Sequence, residues 1–491
     1  MGRKRALFLL VVVVCCALVA GVGGYEEEEG GGGGEEGRAG RAEGVDWFLL
    51  QDSKQMVKTD AGNMRVVRGF GGKFMKSHMH IGFITMEPRS LFIPQYLDSS
   101  LILFIRKGEA RIGHIYKDDL VEKRLKAGDI YRIEAGSAFY LINSAEGQIL
   151  HTICSIDTSE SLGWHTFQSF FIGGGTYPMS ILSGFDPLTL STAFNVSVPE
   201  LKELLTRQQA GPIVYLSRSH SPSIWAGFLD LEHHQKLAHL KRVVHLKEKY
   251  SEEKEQPKWS FRKLLISVLG KANKKREDKK SKGPDSYNIY DRKPDFKNNY
   301  GYSIALDESD YSPLGQSDTG IYLVNLSEGS MMAPHINPRA TEYGIVLRGA
   351  GTIHIAYPNG SLAMSAKVTE GNVFWIPRYF PFCQIASRSG PFEFFGFTTS
   401  ARQNRPQFLV GANSLLQTMR GVELATAFGV SEERLNEILD SQRESVILPS
   451  ASIVAQPDET VEETMEVELE KSEMLPNLIR SFGNDMIMGF D

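Results

Sequence analysis

Cysteine is scarce in this 491-residue chain. Two of its four cysteines, Cys15 and Cys16, lie in an apolar run at the amino terminus, and the other two, Cys154 and Cys383, lie one in each half. A disulfide framework therefore does not hold the chain, and its stability has to come from a packed hydrophobic core. With 42% hydrophobic residues and this length, the chain can bury a large core, and two domains are the first expectation.

An excess of charge of one sign is also lacking. The chain has 54 Lys and Arg residues against 59 Asp and Glu residues, so its formal charge at pH 7 is −5. No global basic field is present, and no nucleic-acid partner is expected. The sequence also has no Gly-x-Ser-x-Gly elbow, no phosphate-cradling glycine loop and no His-Glu-x-x-His pair. The local signatures of common hydrolases and nucleotide-binding proteins are therefore missing.

The amino terminus predicts a secretory signal peptide over residues 1–24. A basic start is followed by an apolar run and then by small residues before a polar segment, which is the order typical of a cleaved signal. This predicts the secretory pathway and no stable membrane anchoring after cleavage. The run is also close to the length that spans a bilayer, so a retained anchor is the alternative. Three Asn-x-Ser sequons are candidate glycosylation sites for that pathway: Asn195, Asn325 and Asn359.

Three polar segments are not expected to form domains. Residues 25–44 consist almost entirely of Gly, Glu, Arg and Ala and are predicted to be disordered. Residues 216–286 are predicted to be a helical and charged linker, whose lysine and glutamate runs make it more open to proteases than its neighbours. Residues 456–491 are predicted to be an acidic C-terminal tail.

An internal repeat flanks the linker. The segment GDIYRIEAGSAFYLINSAEG, from Gly128, aligns without a gap on GNVFWIPRYFPFCQIASRSG, from Gly371. Further on, AFNVSVPELKELLTRQ, from Ala193, aligns on AFGVSEERLNEILDSQ, from Ala427. Because the matched segments follow the same order in both halves, the repeat indicates two copies of one domain.

Each copy, at residues 45–215 and 287–455, is predicted to be a mainly β barrel followed by a short helical arm. Short apolar runs rich in Val, Ile, Phe and Tyr, separated by turn residues, indicate strands. The Ala-Phe segments instead place apolar residues at helical spacing, namely Leu201, Leu204, Leu205, Leu435, Ile438 and Leu439. Such an apolar stripe must be covered, either by another subunit or by the barrel of the same chain.

One stretch of the second copy, PHINPRATEYGIVLRG, places His335, Asn337, Glu342 and Gly349 at a characteristic spacing. This spacing resembles the first motif of the cupin family, which runs His-x-His, Glu and Gly. In the second motif, Phe382 stands where the family has a histidine. The resemblance implies two tandem jelly-roll β-barrels. In enzymes of the family it also implies a divalent metal held by three histidines and one carboxylate, a set that suits manganese, iron, nickel or copper.

The resemblance also implies that metal ligands have been lost. In the first copy the four ligand positions are occupied by Gln95, Leu97, Leu101 and Phe139, so this copy is predicted to hold no metal. The loss of two of four ligands from the second copy should remove tight binding there as well.

Two hypotheses remain for the second copy. In the first, His335, Glu342 and Cys383 hold copper or another divalent metal, because thiolate and imidazole suit a soft ion. Strand alternation argues against this set, since it points Cys383 to the face opposite Phe382. In the second, no cofactor is bound, and the barrel is lined by a hydrogen-bonded histidine or accommodates a small ligand.

Two stretches of the second copy, YNIYDRKPDFKNNYGYSIAL and FLVGANSLLQTMRGVELATAFGVSEERL, indicate one group within the cupins. Through them the chain resembles the vicilin-like seed storage globulins, or 7S globulins, over about residues 45–455. It implies a nutrient reservoir that forms a homotrimer through its arms, has no catalytic activity and accumulates in the protein storage vacuoles of seeds, with an extracellular location as the alternative. The alternative function is a metal- or small-ligand-binding cupin with its site in the second barrel.

Overall fold

The computed structural model describes residues 48–69, 79–116, 119–145, 147–163, 166–216, 285–402 and 404–449. The predicted signal peptide, the Gly/Glu-rich segment and the acidic tail lie outside the described residues, as does nearly all of the predicted linker. Within the described part of the chain, no helix combines enough length and apolar character to cross a bilayer.

The first half of the chain forms a barrel of two facing antiparallel sheets. Its strands are β1 (Ser53–Thr59), β2 (Gly62–Val67), β3 (Met79–Met86), β4 (Ser90–Leu97), β5 (Ser100–Lys107), β6 (Glu109–Tyr116), β7 (Asp119–Lys126), β8 (Asp129–Ile133), β9 (Phe139–Asn143), β10 (Leu150–Asp157), β11 (Ser169–Phe171) and β12 (Ile213–Tyr215), joined by β13 (Tyr287–Asn288). One sheet has the order β1-β2-β3-β10-β5-β8-β13. The other has the order β11-β4-β9-β6-β7, with β12 beside β4.

The second half repeats this arrangement. Its strands are β14 (Phe296–Asn298), β15 (Gly301–Leu306), β16 (Gly320–Leu326), β17 (Ser330–Met332), β18 (His335–Ile336), β19 (Glu342–Arg348), β20 (Ala350–Ala356), β21 (Leu362–Thr369), β22 (Val373–Ile376), β23 (Phe382–Ala386), β24 (Phe392–Thr398), β25 (Gln407–Phe408) and β26 (Ile447–Pro449). The sheet order β14-β15-β16-β24-β19-β22 reproduces β1-β2-β3-β10-β5-β8, and β21-β20-β23-β17 reproduces β7-β6-β9-β4. The predicted mainly β fold of two jelly-roll barrels is confirmed.

Strand β5 shows why the central strands are apolar on both faces. Leu101 and Leu103 belong to the core of the first barrel. Ile102 and Phe104 belong to a core that continues into the second barrel, where the Phe104 ring stacks on Phe395 with 4.0 Å between ring centroids. Because both faces are buried, the sequence of this strand is continuously apolar and does not alternate.

The two barrels also exchange short strands at their edges. Tyr287 and Asn288, which come from the second half of the chain, pair with β8 of the first barrel. In return, Leu49 bridges Phe374 on β22 of the second barrel. Backbone from each half thus extends a sheet of the other half, which adds main-chain hydrogen bonds to the shared apolar core.

A helical arm follows each barrel, as predicted. The first arm contains α1 (Pro187–Phe194) and α2 (Val198–Thr206). The second contains α3 (Leu415–Thr418), α4 (Val422–Phe428) and α5 (Glu432–Ser441). Ser197 begins α2 in a capping box with Glu200, and Ser431 caps α5, so the two matched serines start matched helices.

The apolar stripe of each arm is only partly covered within the chain. Leu201 and Leu435 are buried, whereas Leu204 is 60% exposed and Ile438 is 50% exposed. After each arm a short strand, β12 or β26, returns the chain to the barrel. Each stripe therefore has one leucine that is buried within the chain and one apolar side chain that is exposed.

Candidate functional site

A cavity of about 630 Å³ lies inside the second barrel. Strand β19 contributes Glu342, and its antiparallel neighbour β24 contributes Thr398, which lies directly opposite. The facing sheet contributes His335, from β18, and Gln384, from β23. Since residues opposite one another on adjacent strands share a face of the sheet, both sheets direct polar side chains into the same space.

His335 is a buried, neutral imidazole. Its Nδ1 lies 2.7 Å from the carbonyl oxygen of Ala333, and because a carbonyl only accepts, Nδ1 carries the proton and Nε2 keeps a lone pair. Burial lowers the pKa of His335 to about 4. The ring packs between Phe382, at 4.0 Å between centroids, and Phe408, at 5.2 Å. The phenyl ring at the lost histidine position thus covers the retained histidine.

Glu342 is held by Asn337, the residue that replaces the second histidine of the cupin motif. The Asn337 side-chain amide donates to Glu342 Oε1 at 2.9 Å. The Asn337 Oδ1 accepts from the backbone amides of Arg339, at 3.1 Å, and Ala340, at 3.0 Å, so the side chain is fixed at both ends. Burial raises the pKa of Glu342 to about 7, and the hydrogen bond from Asn337 opposes that rise.

Two further polar side chains of the cavity were missed by the sequence reasoning. The Gln384 Oε1 atom and the Tyr322 hydroxyl are buried and have no hydrogen-bond partner among the residues that the structure describes. Tyr322 extends over Gly396, where a Cβ atom would lie 2.3 Å from its ring. The signal for Gln384 was available, because it lies two residues after Phe382 on the same strand and therefore faces the same side.

The structure does not bring the three candidate metal ligands together. His335 and Glu342 line the cavity, but Cys383 is not among its lining residues. Its backbone pairs with that of His354 on the neighbouring strand, and burial raises the pKa of its thiol to about 11, which disfavours the thiolate a metal requires. In the described part of the chain, no group of three or more His, Cys, Asp or Glu side chains is placed to hold a metal ion. This donor set does not fit a cupin metal centre.

The interior of the first barrel is apolar at the matching positions. Leu97, Leu101 and Phe139 are buried members of its core, and Gln95 is buried beside them. His114 is a buried polar group of this interior, and its Nδ1 lies 3.0 Å from the Tyr131 hydroxyl. Three of the four positions that hold a metal in cupin enzymes are therefore filled by hydrocarbon.

Sequence relationships agree with this geometry. The family described as cupin matches residues 287–436. A vicilin-like seed storage protein of Arabidopsis thaliana is 54% identical over 412 residues, covering 82% of this chain and 80% of that protein. The chain belongs to the vicilin-like seed storage proteins. A second vicilin-like protein of Arabidopsis thaliana is 31% identical over 81% of this chain and 52% of its own length.

Solved vicilin structures share the fold of this vicilin-like chain. Hazelnut vicilin, from Corylus avellana, superimposes with a TM-score of 0.65 at 22% identity and covers 83% of this chain and 100% of its own. A vicilin from Solanum melongena superimposes with a TM-score of 0.64 at 20% identity, covering 83% of this chain and 99% of its own. That structure is described as holding different anionic ligands in structurally similar pockets.

The three sequons of the vicilin-like chain lie in different surroundings. Asn359 is exposed in the turn between β20 and β21, where its Oδ1 accepts from the Ser361 hydroxyl at 2.7 Å. Asn195 is exposed at the end of α1 in the first arm. Asn325 is half-buried in β16, and its side chain hydrogen-bonds to Glu393.

Proposed function

We propose that this vicilin-like chain is a nutrient reservoir of seeds that forms a homotrimer and has no catalytic activity. The observation that carries the proposal is the 54% identity to a vicilin-like seed storage protein across 412 residues. The storage role also predicts passage through the secretory pathway with removal of residues 1–24. Deposition in the protein storage vacuole follows from the same role, with the extracellular space as the alternative location.

The side chains inside the two barrels support a role without catalysis. Leu97, Leu101 and Phe139 leave the first barrel with no ligand set. At the positions of the cupin metal ligands, the second barrel offers one imidazole, on His335, and one carboxyl group, on Glu342. Cupin enzymes activate substrate or oxygen at the open positions of a metal with several nitrogen and oxygen ligands, and two ligands do not orient such a centre.

The exposed apolar edges of the arms support the homotrimer. Leu188 and Leu204 in the first arm are 69% and 60% exposed, and Val422 and Phe428 in the second arm are 60% and 58% exposed. Clustered apolar side chains of this size indicate a surface that another subunit covers. Because each chain presents two arms, a closed ring of three copies can join the first arm of one copy to the second arm of the next.

Light scattering coupled to size exclusion tests the assembly. The mature protein is expected at three times the chain mass, and the double substitution Leu204→Glu with Ile438→Glu is expected to produce monomers, because each pair of joined arms would then bury two like charges, one from each arm. The control is Leu362→Glu, an equally exposed leucine on β21 outside the arms, which should remain trimeric. A monomeric unmodified protein would contradict the proposal.

The fate of the protein in the seed tests the storage role. An antibody against the second barrel should detect the chain at rising levels as seeds mature and at falling levels during germination. The charged linker should be among the first segments cut, because it is polar and lies between two packed barrels. A protein that persists unchanged through seedling growth is not a reservoir.

Metal analysis tests the alternative of a metal-binding cupin. One equivalent of copper or manganese that purifies with the protein, and that His335→Ala removes, would overturn the proposal of a metal-free second barrel. The donor set supports the opposite outcome, with substoichiometric metal that is equal in the protein and in the variant.

A further inference from the structure

Among the described residues that line the cavity of the second barrel, the buried atoms without a hydrogen-bond partner are two acceptors, Gln384 Oε1 and Asn404 Oδ1, one donor, Arg292 Nε, and the Tyr322 hydroxyl. Gln384, which is 1% exposed, leaves its Oε1 without a partner. His335 presents the lone pair of Nε2, because its Nδ1–H group donates a hydrogen bond to the carbonyl oxygen of Ala333. A buried acceptor without a partner costs about 1–3 kcal/mol, so a ligand that brings several N–H or O–H groups would recover that cost.

The charge inside the cavity is negative. Glu342 contributes a carboxylate, and Asn337, which binds it, is neutral. Arg292, the partly buried arginine of the lining, is already held by Asp295, at 2.8 Å, and by Asp310. Arg405 is exposed at the opening. The described lining carries four carboxyl groups, on Asp295, Asp307, Asp310 and Glu342, against two guanidinium groups, on Arg292 and Arg405, so an anion would meet net repulsion and a cation net attraction.

The walls of the cavity are largely apolar. Phe394, Phe408 and Val324 line it together with the polar groups. A metal ion needs a fixed ligand number and geometry, which His335 and Glu342 do not supply. An ammonium group needs only acceptors within hydrogen-bond distance, and its three N–H donors rotate freely. An apolar body attached to it would bury its surface against the aromatic walls.

We infer that the cavity of the second barrel binds an organic ammonium ion, with its charged group beside Glu342 and Gln384 and its apolar body towards Phe408. The ammonium N–H groups donate to the Glu342 carboxylate, to Gln384 Oε1 and to the lone pair of His335. This binding is independent of the storage role, because it is a property of the purified protein and not of its fate in the seed.

Calorimetric titration of the mature protein at pH 8 tests the inference with three probes that share one body. They are phenethylammonium, 2-phenylethanol and 3-phenylpropanoate, which differ in the charge of the head group. Phenethylammonium is expected to bind at least about tenfold more tightly than the alcohol, and the carboxylate is expected to bind more weakly than both. Equal affinity for the ammonium and the alcohol, tighter binding of the carboxylate, or no binding of phenethylammonium at millimolar concentration would each overturn the inference.

Two variants locate the ammonium group. Glu342→Gln keeps the shape of the side chain and is expected to lose about tenfold in affinity for phenethylammonium. Gln384→Leu is expected to lose about fivefold without lowering the melting temperature, because its amide oxygen has no partner in the free protein. The control is Glu393→Gln, a partly buried glutamate on β24 that does not line the cavity. Unchanged affinity in both cavity variants would overturn the inference, as would an equal loss in the control.

Discussion

Leu101 on β5 and Glu342 on β19 occupy matching positions in the two barrels. Around Leu101 the interior is filled by apolar side chains, including Leu97 and Phe139. Around Glu342 the interior contains a cavity of about 630 Å³ bordered by His335. Strand order is the same in both barrels, so topology does not decide whether the inward-facing side chains of a jelly roll are apolar or polar. A few inward-facing residues determine the polarity of each interior.

The faces of the sheets that lie outside the cavity explain how the second barrel tolerates it. Phe395 and Phe397 on β24 face away from the cavity side of that strand and are fully buried in the core shared by both barrels. Phe104 of the first barrel stacks directly on Phe395. The second barrel therefore draws apolar burial from between the barrels, which leaves its interior free to hold polar groups.

The largest change in stability is expected when the matched residues Leu101 and Glu342 are exchanged between the two barrels. Leu101→Glu is expected to lower the free energy of unfolding by about 5 kcal/mol or more, because its carboxylate would be buried among the apolar side chains of the first core. Glu342→Leu is expected to change it by about 1 kcal/mol or less, since the Asn337 amide that it leaves free borders a cavity that can hold water. Denaturation followed by circular dichroism measures both, and Leu101→Met serves as the volume-matched control.

Equal losses from the two exchanges would show that the second interior is packed as tightly as the first. That outcome would contradict the difference between an apolar interior in the first barrel and a polar, cavity-containing interior in the second.

A smaller loss of stability is expected when an aromatic ring is removed from the core that the two barrels share. Phe104→Ala removes the ring that stacks on Phe395 and is expected to cost about 3–4 kcal/mol. Because that core is common to both barrels, the two should still unfold in one transition, shifted to lower denaturant. Leu362→Ala, at a site that is 66% exposed, is the control and should cost less than about 0.5 kcal/mol. Separate transitions in the unmodified protein would contradict a shared core.

The pH dependence of stability distinguishes the polar interior from the apolar one. The folded pKa of Glu342 is raised from 4.5 to about 7, so its contribution falls as pH rises through that window. The folded pKa of His335 is lowered from 6.5 to about 4, so its contribution falls as pH drops through that window. Tyr322, whose hydroxyl interacts electrostatically with Glu342, stays neutral there because burial raises its pKa well above the usual value. Between pH 4.5 and 6.5 the two groups change the free energy of unfolding with pH in opposite directions, so their effects cancel.

Single substitutions should expose each slope. In Glu342→Gln the free energy of unfolding is expected to rise with pH between 4.5 and 6.5 by up to about 1.4 kcal/mol per pH unit relative to the unmodified protein. His335→Gln should give the opposite slope. Glu328→Gln, at an exposed loop position, should give neither. A flat difference profile for both cavity variants would contradict the burial of these two groups.

The residues that the sequence identified and those that it missed differ in a physical way. The repeat, the apolar runs and the serine before α2 predict barrels and arms because strand periodicity and helix capping are local properties. His335, Asn337 and Glu342 were found from the spacing of one motif. Gln384 was missed although its spacing from Phe382 places both side chains on one face of the strand, whereas Tyr322 was missed because nothing local marks which face of its strand points inward. The pairing of β13 with β8 was also missed, since contacts between distant segments leave no local pattern.

The smallest expected effect concerns the surface, where the sequons test which faces of the two halves stay free. Asn359 is exposed in a turn of the second barrel, and we expect it to carry a glycan. Asn325 is held by Glu393 within a strand and should remain unmodified. Asn195 ends α1 in an arm that would be covered in a trimer, so a glycan there would oppose assembly.

Glycosidase treatment should shift the mass of the mature protein, and Asn359→Gln should abolish that shift. A glycan found on Asn195 of the assembled protein would show that this end of the first arm faces solvent, and would move the subunit contact to the opposite side of α2.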